Sequence, residues 1–270
     1  MVMAESRSCK MFISPVFLFV FFALNLCAFG QGTFSLSPIA DAFVASGPTG
    51  NLANNNYGGG GALALAASGL PQGPFQSVIE FNLGPAASSF NSQFGAGDWT
   101  IQSVTLELTS TPHNNAIYNN AAAGQFNVSL MQNNSWVEGT GTASAPTSDG
   151  ITYSSLMSTY VNPATDQALG TFSFPGGSSG ANNYSLTLSP GLVGDIRSGG
   201  DASLRLYAGD NNVSYLFSSR SAGSGGPQLL ITVVPEPGTL ELAAAGLFTL
   251  ALWRPISLRF SKETRRATSA

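Results

Sequence analysis

The feature that most constrains this chain is an alternation of apolar and polar residues with a period of two. Ile79, Phe81 and Leu83 alternate with Glu80 and Asn82, and Val104, Leu106 and Leu108 alternate with Ser103, Thr105, Glu107 and Thr109. Phe126, Val128 and Leu130 continue the pattern, as do Phe172 and Phe174, Tyr184 to Leu188, Leu204 and Leu206, Tyr215 and Phe217, and Ile231 and Val233. Successive side chains of an extended strand point to opposite faces, so this alternation marks half-buried strands. The segments between them, such as Gly47-Pro48-Thr49-Gly50, Gly58 to Gly61, Pro175-Gly176-Gly177 and Gly223 to Pro227, have turn compositions. Many short strands without a convincing helix predict an all-β fold, a single jelly roll or β-sandwich over residues 31–233.

Both ends of the chain depart from this pattern. Arg7 and Lys10 precede an apolar stretch from Met11 to about Phe29 that ends in small residues at Ala28 and Gly30. That is the layout of a secretory signal peptide over residues 1–30, with cleavage expected after Gly30 and an uncleaved membrane anchor as the alternative. At the other end, Val234-Pro235-Glu236-Pro237 is followed by an apolar run from Leu240 to Leu252, then Trp253, Arg254 and a basic tail through Arg266. The prolines favour extended backbone, so the motif is expected to separate what precedes it from the helix that follows. About 13 helical residues span about 20 Å, short of the roughly 30 Å hydrocarbon core. Trp253 and the arginines suit a cytoplasmic boundary.

The Pro235-Glu236-Pro237 motif, the short transmembrane helix and the arginine-rich end resemble the PEP-CTERM sorting signal of Gram-negative bacteria, here over residues 234–270. The resemblance implies recognition by an exosortase-type processing enzyme, attachment to the membrane through the C-terminal helix before processing, and export to the cell surface or an extracellular, biofilm-type matrix. It implies a mature protein that ends near Val234 to Pro237.

Cysteine and charge narrow the function further. The two cysteines, Cys9 and Cys27, both lie in the signal segment, so the mature protein has no disulfide framework, thiolate metal site or thiol nucleophile. Residues 31–233 contain no lysine, three arginines (Arg197, Arg205, Arg220) and ten acidic residues. Nucleic-acid binding needs cations to neutralise phosphates, and this region does not supply them. The same balance disfavours strongly anionic polysaccharides.

A second resemblance lies within the β-region. Asp41 to Val44, Asn55-Asn56-Tyr57-Gly58, Leu63-Ala64-Leu65 and Ser77 to Leu83 look like the opening of a DNRLRE-type domain. Val104 to Leu108, Trp136-Val137-Glu138-Gly139-Thr140, Phe217-Ser218-Ser219-Arg220 and Pro227 to Leu230 are similar to its later segments. That family is related to disaggregatase repeats and to carbohydrate-binding modules, which implies a jelly-roll fold and carbohydrate binding.

Catalytic chemistry has few candidates. The single histidine, His113, lies in a Pro-Asn loop, and no Gly-x-Ser-x-Gly elbow precedes a helix. Glu80 and Glu107 sit on predicted strands and would serve as a glycosidase pair only if one sheet face presented both. Gly58 to Gly61 has no Lys-Ser/Thr after it and is no phosphate loop. Two binding sites are expected instead. Asp41 with Asn55 and Asn56 offers oxygens for a structural calcium ion, the alternative being that these side chains satisfy turn backbone. Tyr57, Tyr118 and Trp136 offer aromatic faces for sugar rings, the alternative for Trp136 being that it packs under one end of the sandwich. The expected function is non-catalytic binding or structuring of extracellular polysaccharide, with a glycan-active lyase or hydrolase, or a surface protein that binds no glycan, as alternatives.

Overall fold

A computed structural model describes residues 30–110, 118, 123–176 and 180–236. Residues 1–29, which hold all but the last position of the expected signal peptide, His113, Pro237, the apolar C-terminal run and the basic tail lie outside the described residues. The chain is all-β: among the described residues eleven strands join in one sheet in which every pairing is antiparallel. They are β1 (Gly32–Leu36), β2 (Ala40–Ala45), β3 (Ala62–Ala66), β4 (Phe75–Asn82), β5 (Trp99–Ser110), β6 (Gly124–Met131), β7 (Gln167–Phe174), β8 (Gly180–Leu186), β9 (Asp201–Ala208), β10 (Ser214–Ser218) and β11 (Gln228–Pro235).

The pairings form two extensive runs. One is β1-β11-β5-β8 and the other is β2-β4-β9-β6-β7. The pair β3-β10 links them through single contacts, Phe217 with Ser110 and Ala66 with Phe75. The sheet folds over its own apolar face. Phe126 on β6 meets Tyr184 on β8 with ring centroids 5.0 Å apart, although those strands do not pair. Phe174 on β7 likewise meets Tyr215 on β10 at 4.1 Å. Leu106, Leu108, Val128, Leu130, Leu204, Leu206, Leu229 and Ile231 fill the same core.

Two bulges explain where the alternation slips. Ile101 and Val104 are three apart yet both buried, and the β5-β11 register shifts between Thr232 and Val233, which leaves Gln102 as the extra residue. On β7, Leu169 is the extra residue opposite the Val128/Ser129 step, and it too is buried.

The expectation of no convincing helix is corrected at two places. Helices span Gly84–Phe94 and Pro190–Ser198. Each has a proline in its first turn, where a missing N–H costs nothing. The second is also capped by the Ser189 hydroxyl, 3.4 Å from the Leu192 N–H, and stopped by Gly199 at φ 70°. A short helical turn, Tyr153–Ser155 continuing through Leu156–Tyr160, carries a Thr152 capping box. Among the described residues no helix is long and apolar enough to cross a membrane.

β4 departs from half-burial for a different reason. Its inward residues Ile79 and Phe81 join the main core, while Val78 joins a second core with Ala42, Val44, Met131, Trp136, Ile151 and Leu156. Segment 132–166 therefore lies over part of the outer face of β2-β4-β9-β6 and buries it. How that segment is tied down, and where its cover ends, determines the candidate sites.

Candidate functional site

Four motifs distant in sequence meet at one corner. Asp41 on β2 is fully buried, and its Oδ2 accepts a 2.7 Å hydrogen bond from the Arg220 backbone N–H. The Arg220 side chain turns back onto Glu138, donating from Nε to Oε1 at 3.0 Å and from Nη2 to Oε2. Burial pushes the Asp41 carboxyl up to about 6; the Arg220 N–H opposes that rise and the nearby Glu138 charge adds to it. Asp41 Oδ1 has no partner among the described residues.

Asn56, also fully buried, ties segment 132–166 to this corner. Its Nδ2 donates to the carbonyls of Glu138 (2.6 Å) and Ile151 (2.8 Å), and its Oδ1 accepts from the N–H groups of Gly58 (3.2 Å) and Gly141 (3.1 Å). Backbone bonds between Asn56 and Thr147 run alongside. The segments approach so closely that a Cβ on Gly58 would fall 2.1 Å from the Glu138 carbonyl oxygen. Close backbone approach accounts for a glycine at position 58. At the rim, Asp149 accepts from Thr140 and Thr147, and those bonds hold its carboxyl down at about 2.

In the expected calcium set, the two asparagine side chains are already engaged within the protein. Asn56 Oδ1 is occupied by two backbone donors, and Asn55 Nδ2 donates to the Tyr57 hydroxyl at 3.1 Å. Asn56 follows the alternative reading, satisfying backbone in a turn. Among the described residues no group of three or more His, Cys, Asp or Glu is placed to hold a metal ion.

The aromatic candidates are corrected as well. Trp136, Tyr57 and Tyr118 are only 4%, 5% and 7% exposed. Trp136 packs in the second core with its Nε1 donating to Ser203 Oγ at 2.9 Å. Tyr57 stacks on Phe43 at 4.7 Å, and Tyr118 meets Phe75 edge-on at 5.8 Å. A ring whose faces are covered by protein offers no platform to a sugar. Glu80 on β4 and Glu107 on β5 lie in different runs, each beside inward residues of the shared core (Ile79 and Phe81, Leu106 and Leu108), so they point outward on opposite sides of it. Burial, with the Asp201 charge nearby, raises the Glu80 carboxyl to about 7.

The Pro235-Glu236-Pro237 motif is partly built into the sheet. Pro235 ends β11 opposite Trp99. The Glu236 N–H donates to the Asp98 carbonyl at 2.9 Å, and Glu236 Oε1 accepts from Thr100 Oγ1 at 2.8 Å and from Arg197 Nη2 at 3.3 Å. Those hydrogen bonds hold the Glu236 carboxyl below its usual range. Arg197 also donates to the Trp99 carbonyl at 3.2 Å. Backbone ordered by the sheet thus runs through Glu236, beyond the separation expected at Val234.

A cleft opens on the outer face where segment 132–166 stops covering it. Its volume is about 280 Å³, and it is lined by Ser129, Val161, Pro163, Asp166, Ala168, Arg205 and Tyr207. The register explains the lining. Ser129 pairs with both Arg205 and Ala168, and Asn127 pairs with both Tyr207 and Thr171, so two cross-strand rows lie side by side. Arg205 lies 4.3 Å over the Tyr207 ring, and its Nε donates to Gln76 Oε1 at 2.7 Å. Asp166 is oriented by the N–H groups of Gln132 (3.2 Å) and Asn162 (3.0 Å). Sequence reasoning missed this group. The available signal was an arginine, one of three in residues 31–233, at an outward position between Leu204 and Leu206.

No protein-family model matches this chain, and no curated protein is found to be similar to it.

Proposed function

We propose that this chain is an exported, non-catalytic protein of the cell surface or extracellular matrix that binds or structures extracellular polysaccharide on a domain of jelly-roll type. The observation that carries the reading is the outer-face cleft. It combines an aromatic ring, a guanidinium and a carboxylate on rigid strands and an anchored segment, the mixture that orients a polyhydroxy ligand. Its volume is just under the roughly 300–1,000 Å³ usual for ligand pockets, which suits one sugar ring of a longer chain. Two antiparallel runs facing each other across one core support the jelly-roll reading. The non-catalytic reading is preferred to the hydrolase alternative because Glu80 and Glu107 point outward on opposite sides of the shared core.

A glycan-array screen of the exported protein tests the reading. Polysaccharide-derived probes are expected to bind, without release of reducing or unsaturated ends on incubation. Such release would contradict the non-catalytic assignment.

We also propose processing of the C-terminal signal by an exosortase-type enzyme. Glu236 is held on the domain by Thr100 and Arg197, so the accessible cut lies after Glu236 rather than between Val234 and Glu236. The intact mass of the exported form is expected to end at Glu236 or within a few residues of it. A mass that still includes Arg265 and Arg266 would rule processing out.

A further inference from the structure

We infer that the outer-face cleft recognises a carboxylate-bearing sugar, a uronic-acid residue in a polysaccharide of low charge density; this rests on the glycan-binding reading above. Three observations on the same cleft converge. Arg205 is partly buried in its wall, yet among the described residues no carboxylate lies within ion-pair distance of it. Only its Nε has a strong acceptor, Gln76 Oε1. Nη2 reaches a methionine sulfur at 3.8 Å, and Nη1 has no hydrogen-bond partner among the described residues. A partly desolvated guanidinium whose free donors open into the cleft gains from a facing anion, and its planar fork fits a carboxylate.

Ser129 is the second observation. It is 7% exposed and lines the cleft, and its Oγ has no hydrogen-bond partner. Across the β6-β9 register it sits directly beside Arg205. Its Oγ is closed off from solvent, so Ser129 shapes the small, uncharged wall that leaves room beside the Arg205 guanidinium, and it is not itself a contact offered to the ligand.

The third is Asp166 on the opposite wall, whose carboxylate is fixed by two backbone N–H groups and can accept from sugar hydroxyls. Asp166 also explains the limit on charge density. With ten acidic residues against three arginines in residues 31–233, a densely charged polyanion is repelled by the domain as a whole. One carboxylate per several neutral sugars satisfies both constraints. Tyr207, stacked against Arg205, adds apolar surface beside the anion site.

The test is affinity electrophoresis of the exported protein through gels that contain a polysaccharide with sparse glucuronic acid. Parallel gels contain the same polysaccharide after chemical reduction of its carboxyl groups to primary alcohols. Wild-type protein is expected to be retarded at least about tenfold more strongly by the native polymer, and added salt is expected to weaken that difference. Arg205→Gln is expected to abolish the discrimination, leaving weak and equal retardation by both polymers, with Arg205→Lys intermediate because it keeps charge without the fork. Equal retardation of the wild type by both polymers would overturn the carboxylate assignment while leaving glycan binding intact. If neither polymer retards the wild type and the array is also blank, the glycan-binding reading fails and the inference fails with it. The wild-type comparison decides the matter even if an Arg205 variant does not fold.

Discussion

Replacing Asn56 with alanine is expected to lower the thermal unfolding midpoint of the domain by on the order of 10 °C. The side chain is fully buried and closes four hydrogen bonds with backbone groups of Gly58, Glu138, Gly141 and Ile151. Truncation leaves two carbonyls and two N–H groups without those partners, at about 1–3 kcal/mol each when buried. Water entering the space recovers part of this, so a net loss of about 4 kcal/mol is reasonable. At roughly 2–4 °C per kcal/mol for a domain of this size, the midpoint falls by the amount stated. Asn56→Asp provides the sharper check. It keeps the shape but turns the Nδ2 donor into a second oxygen facing two carbonyls, so it is expected to cost at least as much as alanine. A mild effect from Asp, measured by calorimetry, would mean that the hydrogen bonds do not hold segment 132–166 in place.

The second large effect is on pH dependence. The domain is expected to be most stable near pH 4 and to lose stability as pH rises towards 7.5. Asp41 is raised to about 6 and Glu80 to about 7, both chiefly by burial. A carboxyl with a higher pKa in the folded state keeps a proton that the unfolded chain has already released. Folding is therefore favoured while that proton is present, and stability is lost as pH climbs through the folded-state values. At about 1.4 kcal/mol per unit, and allowing for relaxation, the two together remove on the order of 3 kcal/mol between pH 4 and pH 7.5. Asp149 and Glu236 are shifted the opposite way, so their contribution is lost only in stronger acid, which places the optimum between the two effects. Urea midpoints at pH 4 and pH 7.5 check this. Glu80→Gln is expected to raise the midpoint at pH 7.5 and flatten the profile, and an unchanged profile would show that Glu80 does not retain its proton.

The strand pattern was readable because alternation depends only on neighbours in sequence. The core residues from Ile79 to Val233 follow from it, and the bulges at Gln102 and Leu169 are visible afterwards as the two places where the period slips. The helix starting at Gly84 was hidden because only Ala86, Ala87 and Phe90 are buried along it, too little apolar surface to stand out as a stripe. The proline near each helix start was the clue that remained. Trp136 misled for a different reason. An aromatic in a polar loop reads as exposed until the loop is known to lie over Val78 and Met131. The cleft was illegible because Ser129, Asp166, Arg205 and Tyr207 come from three separate stretches, and only the β6-β9 and β6-β7 registers bring them together.

Asp41, Asn56, Glu138 and Arg220 fall in four segments with a sequence resemblance to a DNRLRE-type domain, and here they form one network of hydrogen bonds within the protein. Such a network fixes architecture. The proposed recognition site lies instead on outward residues of β6 and β9, where the resemblance carries no residue.

The claim that ligand recognition belongs to the cleft rather than to the buried aromatics is tested most directly by one comparison. Exported wild-type protein, Tyr207→Ala and Trp136→Phe would be run by affinity electrophoresis through the polysaccharide that binds best in the array. Tyr207→Ala is expected to lose at least about fivefold in retardation with an unchanged melting temperature. Trp136→Phe is expected to melt lower, having lost its bond to Ser203, and to bind as the wild type does. Full retardation of Tyr207→Ala together with lost retardation of a folded Trp136→Phe would contradict the account.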